Sequence, residues 1–295
     1  MEMLHYDFMQ RAFCAGGIIA LLASTLGVYL MLRRQALMAD MLSHVSLAGV
    51  AGGVYLHIDP TLGGFVVAVV GAIAVEYLRR AYKTYSEVSV AIIMVGGLSS
   101  AVILMSLNKS LNKSFSSYLF GSVVAVNRTE LLVMAVVALI GGAFFYLLRR
   151  PLYQMTFDEE TAKTNGFPVK WISLGFSVLT GMIVAAAMPI VGVLLVSSLI
   201  VLPAALAIRI APGFTAALFI SMGIGLAGVL SGLTASYAFS TPPGGTIAFV
   251  LLIMLVMGIG VKKAVFEIRK RTRSKESEKE MPIHGQMAVK EMSRN

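Results

Sequence analysis

The chain is a succession of apolar stretches, each about as long as a bilayer is thick, separated by short polar connections. A spanning helix needs about 20 predominantly apolar residues, and such stretches run at roughly 13 to 32, 41 to 58, 61 to 79, 88 to 107, 131 to 148, 171 to 188, 190 to 210, 213 to 236 and 244 to 261. With 57% of its 295 residues hydrophobic and 13% charged, the chain has too little polar surface to cover a water-soluble globule. Lipid-exposed backbone must bond within its own segment, and no strand-length alternation is present, so helices are expected rather than a β-barrel. The expected fold class is an all-α polytopic membrane protein with about eight to nine transmembrane helices.

Short basic clusters recur after alternate stretches: Arg33 and Arg34, then Arg79, Arg80 and Lys83, then Arg149 and Arg150, then Lys262 and Lys263. The excess of Lys and Arg in short loops marks the cytoplasmic side, which puts the N-terminus outside and the C-terminus inside. Lys109, Lys113 and Arg128 then fall outside, against the rule. No basic n-region precedes the first stretch, so Met1 to Gln10 does not read as a signal peptide. Residues 1–263 form the expected membrane domain. Residues 264–295 read as a basic, disordered cytoplasmic tail, with ten basic and five acidic residues from Lys262 onward. The net charge of +9 fits this topology and anionic lipid headgroups better than nucleic acid. Cys14 is alone, which leaves neither an intrachain disulfide nor a thiolate metal site.

At the opening of the second apolar stretch, Asp40 and His44 stand out. Four residues is one helical turn, so carboxylate and imidazole share a face and can close on one divalent cation; together they suit zinc or manganese. A charge facing lipid is disfavoured by roughly 2.5 to 3.5 kcal/mol, so such a pair belongs to a protein interior or a water path. The competing reading makes Asp40 the N-cap of the second span and His44 the partner of a neighbouring carbonyl. Arg33 and Arg34 lie close before the pair, and a broken or re-entrant connection would reconcile that with depth. Ala48, Gly49, Ala51, Gly52 and Gly53 permit close helix approach, as do Gly228 and Gly232. Glu76, beside Arg79 and Arg80, is either an ion-paired helix end or a further ligand. His57 and Asp59, just before Pro60, form a solvated turn or a loose outer metal site. Glu130 and Asp158 occupy loop positions. Two ligands without a closed Cys or His cage suit a transit site better than a structural zinc site.

The longest polar interruption, Arg149 to Lys170, contains a short helix at about 155–168, with Asp158, Glu159 and Glu160 leading and Gly166 ending it. Glu160-Thr-Ala162-x-x-x-Gly166 resembles the Glu-Ala-Ala-x-x-x-Gly loop by which ABC importer permeases engage their ATPases. Leu32-Arg-Arg-Gln-Ala-Leu-Met-Ala-Asp40-Met-Leu-Ser43-His44-Val-Ser-Leu-Ala-Gly49 resembles the signature of the metal-ion ABC permeases that import zinc or manganese. Tyr118-Leu-Phe-Gly121-Ser, Asn165-Gly166-Phe, Pro189-x-x-Gly192 and Leu202-Pro203-Ala204 fall in that family's order, and the resemblance covers Phe8 to Lys263.

That resemblance implies the compact permease fold shared with vitamin B12 and siderophore importers, in a bacterial plasma membrane. It also implies a second permease chain, two cytoplasmic ATPase subunits and an external metal-binding lipoprotein. Asp40 and His44 would be pathway ligands for transported zinc, or for manganese or iron, with no permanently bound cofactor. Asp158, Glu159, Glu160, Ala162 and Gly166 would couple to the ATPase. Ala48 stands where family members often carry proline. Gln10-Arg11 and Arg34-Gln-Ala-Leu-Met-Ala are closer to the zinc branch. The chain lacks any Gly-Lys dipeptide and so the phosphate loop of an ATPase. A proton- or sodium-driven carrier would call for several intramembrane carboxylates and inverted repeats. An intramembrane metalloprotease would call for His-Glu-x-x-His, which is absent.

Overall fold

The computed structural model describes residues 7–82, 86–107, 117–122 and 127–280. Its helices are α1 (Asp7–Leu32), α2 (Leu37–Tyr55), α3 (Pro60–Ala81), α4 (Ser86–Leu107), α5 (Arg128–Leu147), α6 (Arg149–Phe157), α7 (Glu159–Thr164), α8 (Val169–Val191), α9 (Val196–Ile210), α10 (Phe214–Phe239) and α11 (Pro243–Glu280). A helical turn at 117–120 follows α4, and no strand occurs among the described residues. Among the described residues eight helices are long and apolar enough to cross a membrane: α1 to α5, α8, α10 and α11. This is the all-helical multi-pass architecture expected. Lys83, Lys109 and Lys113 lie outside the described residues.

Several helix starts follow from local sequence. Asp59 caps α3 by accepting from the Thr61 and Leu62 amides at 2.8 and 3.1 Å, with Pro60 pre-set at the first helical position. Asn127 and Glu130 form a reciprocal capping box on α5, so Glu130 is a helix-start residue and not merely a loop residue. Asp40 is not a cap. Helix α2 starts at Leu37, with Ala36 at the capping position and no side-chain cap, so Asp40 lies inside its first turn. The connection from α1 is also not re-entrant: residues 33–36 make a tight turn, with Arg34 at φ 57 and the Gln35 amide donating to Leu30 O at 2.8 Å.

The stretch expected to span at 190–210 is broken. Helix α8 ends at Val191, Gly192 adopts φ 82 and ψ 150, and α9 has only 15 residues. At 1.5 Å per residue that is about 22 Å, short of a hydrocarbon core about 30 Å thick. The cause is a distant partner. Residues 118–122 run beside the break, with the Val193 amide donating to Tyr118 O at 2.9 Å, Leu194 to Leu119 O at 3.3 Å, and Ser122 to Pro189 O at 3.0 Å. Irregular backbone is tolerable in lipid only where protein satisfies it, and here two irregular segments satisfy each other. Gly244, at the start of α11, also packs here: a Cβ on it would lie 1.8 Å from Val191 O.

Burial separates the helices into a centre and a periphery. The apolar windows of α8, α2 and α1 are 78, 72 and 67% buried, while those of α4, α5 and α11 are 11, 17 and 17% buried. The outer helices therefore carry much of the exposed apolar surface of the single chain. Small residues let the inner ones approach: Gly49 of α2 meets Gly63 of α3, where either Cβ would fall 2.3 to 2.5 Å from the other's carbonyl oxygen. Gly228 and Gly232 likewise seat Leu251 and Ile247 of α11. Arg33, Arg79, Arg80 and Lys170 gather at one end of the bundle beside α7. The backbone stays helical to Glu280, so the first part of the tail continues α11; residues 281–295 lie outside the described residues.

Candidate functional site

Asp40 and His44 sit on α2, among the most buried helices, at the edge of its packed surface. Met38, Ala39, Met41, Leu42, Ser43 and Val45 around them are buried, but Leu37, Asp40 and His44 form an open stripe that narrows inward, the side chains of Asp40 and His44 being 37 and 16% exposed. His44 Nε2 lies 3.9 Å from Asp40 Oδ2, too far for a hydrogen bond. Two donors held about 2.0 to 2.2 Å from a tetrahedral zinc stand about 3.3 to 3.6 Å apart, so a small side-chain rotation brings the pair onto one ion. His44 Nδ1 is buried and has no hydrogen-bond partner. The alternative in which His44 answers a neighbouring carbonyl is therefore not what the structure contains. Among the described residues no group of three or more His, Cys, Asp or Glu side chains is placed to hold a metal ion. Among the described residues, Asp40 and His44 are thus two donor side chains side by side with no third beside them.

The other candidate ligands are placed apart from this pair. Glu76 is 3% exposed, and both its oxygens are taken: Oε1 accepts from Arg80 Nε and Nη2 at 3.1 and 3.0 Å, and Oε2 from Arg79 Nη2 at 2.8 Å and Ser177 Oγ at 3.0 Å. This is the ion-paired arrangement, more elaborate than its two arginine neighbours alone implied. His57 is exposed in the α2–α3 turn at φ 57, and Asp59 is engaged as the α3 cap. Sequence reasoning passed over Arg33, Ser173 and Ser177, which join Glu76 in one network; two serines four residues apart in the apolar α8 were the available signal.

The polar interruption folds into two helices where one was expected at 155–168. Helix α6 is amphipathic, burying Leu152 and Met155, and its Tyr153 ring packs edge-on to Phe214 at the start of α10, 5.1 Å between centroids. Asp158 breaks the run at φ −150 and caps α7 through the Glu160 and Thr161 amides at 3.0 and 3.1 Å. Thr161, by side chain and amide, and then the Glu160 amide hold the Asp158 carboxyl below the usual carboxylate range. The cap is therefore complete at neutral pH and is lost only as pH falls through that lowered value. At the other end Phe167 donates to Ala162 O and Gly166 to Lys163 O, with Gly166 at φ 81, the pairing of a Schellman end. Ala162 is buried underneath, while Glu159 and Glu160 face outward and pair with Lys163 at 3.5 and 2.8 Å. Asp158→Ala is expected to speed amide exchange at Glu160 and Thr161 by about fivefold, measured by hydrogen exchange; unchanged protection would mean that the cap does not hold α7.

Residues 5–262 match the family model described as the ABC 3 transport family. The chain belongs to that family. Among relatives of this ABC 3 chain is a probable metal transport system membrane protein of Treponema pallidum, 34% identical, covering 88% of this chain and 97% of that one. Two others are each 26% identical: the manganese transport system membrane protein MntC of Halalkalibacterium halodurans, over 84% of this chain and 85% of its own, and the high-affinity zinc uptake system membrane protein ZnuB of Haemophilus influenzae, over 86 and 97%. The solved structure of PsaBC from Streptococcus pneumoniae in complex with Fab superposes with a TM-score of 0.77 at 26% identity, covering 87% of this chain and 93% of that one.

Two of the motifs that resembled the family in the sequence meet in the structure of this ABC 3 chain. Tyr118 to Ser122 and Pro189 to Gly192 are the two sides of one backbone crossing. Leu202-Pro203-Ala204 lies on α9, where Ala204 is fully buried beside Val28 of α1.

Proposed function

We propose that this chain is the membrane-spanning subunit of an ATP-driven importer of divalent metal, with zinc the first candidate cargo and manganese the alternative. The observation that carries the reading is the Asp40–His44 pair: two metal-type ligands on a central helix, on an open stripe, with an incomplete shell. A second copy of the chain supplies the missing half, giving four ligands from two Asp40 and two His44 side chains. Such a site holds an ion without a closed protein cage, so that it can leave again. Relatives named for zinc and for manganese are equally distant from this chain, and carboxylate plus imidazole suits either ion. The zinc preference rests on Gln10-Arg11 and on Arg34 to Ala39, which resemble the zinc branch.

Helices α6 and α7 are the docking surface for a cytoplasmic ATPase: both are short, and α7, capped at both ends, is exposed on the arginine-rich end of the bundle. That end is the cytoplasmic one, with the C-terminus on the same side, and an external metal-binding lipoprotein delivers the ion to the opposite end. The test is uptake of radioactive zinc and manganese, in competition, by vesicles carrying the chain with its neighbouring ATPase and binding protein. ATP-dependent uptake of either ion is expected, with zinc displacing manganese. Uptake that ignores ATP and follows a proton gradient would sink the importer reading in favour of a carrier.

A further inference from the structure

Glu76 sits where a carboxylate is expensive to keep. Near a membrane an ionised group at 3% exposure persists only if its charge and lone pairs are answered, and four donors answer it. The same donors reach further. Arg80 Nη2 also donates to Lys170 O at 2.6 Å, and Arg79 Nη2 to Ser173 Oγ at 2.8 Å, both on the first turns of α8. Ser173 Oγ receives a second donor, Arg33 Nη2, at 3.3 Å, and the Arg33 guanidinium lies 4.9 Å above the Phe176 ring. One carboxylate thus ties the end of α3, the start of α8 and the turn between α1 and α2 into a single network.

The network is unbalanced. Arg79 and Arg80 share Glu76, Arg33 is joined to it only through Ser173, and the next carboxylates are Glu159 and Glu160 of α7, across a cavity of about 670 Å3 that Gln35, Arg79, Arg80, Lys163 and Ser173 also line. Burial and then the nearby Arg79 pull the Arg33 guanidinium down to about 10, against Glu159 and Glu76, which favour its charge. Arg33 Nη1 and Gln35 Oε1 are buried without hydrogen-bond partners, so the turn has bonding capacity left over for a second arrangement. From that turn α2 begins at once: the Met38 amide donates to Gln35 O at 3.0 Å, and Asp40 follows within the same turn of helix.

We propose that Glu76 is a positioning residue for transport, which holds Arg79, Arg80 and, through Ser173, Arg33, so that a displacement of α7 is delivered to the turn that sets α2 and with it Asp40 and His44. The inference rests on the importer reading above. Coupling of this kind travels through packed side chains and charge networks between rigid elements. A plain structural staple predicts something different: its loss lowers the amount of assembled complex, and ATP hydrolysis and uptake fall in proportion.

The test uses the whole complex in proteoliposomes, reading ATP hydrolysed per zinc ion imported and the zinc concentration at half-maximal uptake. Glu76→Gln keeps the side chain's size and its acceptor for Ser177 but removes the charge. It is expected to raise the ATP cost per ion about tenfold while the half-maximal zinc concentration stays as in wild type. An unchanged ratio, whether the overall activity is full or reduced, would overturn the proposal. Should Glu76→Gln not reach the membrane, Ser177→Ala removes one of the four donors and is expected to raise the ratio about threefold; an unchanged ratio there is equally fatal. Wild-type complex without ATP-dependent uptake of zinc or manganese defeats the importer reading itself, so the two failures are distinct.

Discussion

Zinc uptake is expected to fall to background in vesicles carrying His44→Ala, at least about 100-fold below wild type, since even residues that only orient metal ligands are worth about 10- to 100-fold in affinity. Folding should not suffer, and the geometry says why. His44 Nδ1 has no hydrogen-bond partner and Nε2 stands 3.9 Å from Asp40, so the substitution breaks no bond that holds the helices together. Asp40 caps nothing and its side chain is 37% exposed, so Asp40→Asn leaves the start of α2 intact while removing an anionic ligand. Both variants should insert, associate with the ATPase and hydrolyse ATP. The readout is radioactive zinc uptake alongside recovery of the complex. Normal transport by either variant would take the pair out of the pathway, and loss of the complex would mean that the pair is structural after all.

What the sequence made legible was local. Apolar length announced the spans, Asp158 and Gly166 announced the two ends of α7, and the Asp40–His44 spacing announced a shared face, because each of these is decided within one turn or one segment of chain. The misplaced features are decided at a distance. Gly192 alone does not announce that the span breaks; the partners that satisfy the break are residues 118–122, about 70 positions earlier in the chain. An acidic residue opening an apolar run has the signature of a helix cap, yet α2 begins three residues before Asp40 in apolar sequence without any side-chain cap. Glu76 was legible as an ion-paired end because its arginines are three and four residues on; its bonds to α8 were not, since Ser177 lies 101 residues away.

Gly192→Ala is expected to cost the folded protein more than about 3 kcal/mol, combining strain at a backbone conformation reserved for glycine with a clash that has no soft way out. At φ 82 and ψ 150 a Cβ would lie 2.4 Å from Leu119 O and 2.5 Å from the Gly121 amide nitrogen, both backbone atoms of the crossing segment. Neither can turn aside as a side chain would, and separating the segments strands the hydrogen bonds that Val193 and Leu194 make across the gap. Unanswered backbone groups are costly at membrane depth. Gly166→Ala supplies the control: its φ is 81, but a Cβ there meets nothing within 4 Å, so only the left-handed strain of about 1 to 2 kcal/mol remains. Thermal unfolding of the purified chains in detergent, followed by the loss of the monodisperse elution peak, compares them directly. Gly192→Ala should melt well below Gly166→Ala, and both below wild type. Equal melting of the two variants would show that the positive φ accounts for the whole effect and that the crossing of 118–122 over the α8–α9 break is not a tight one.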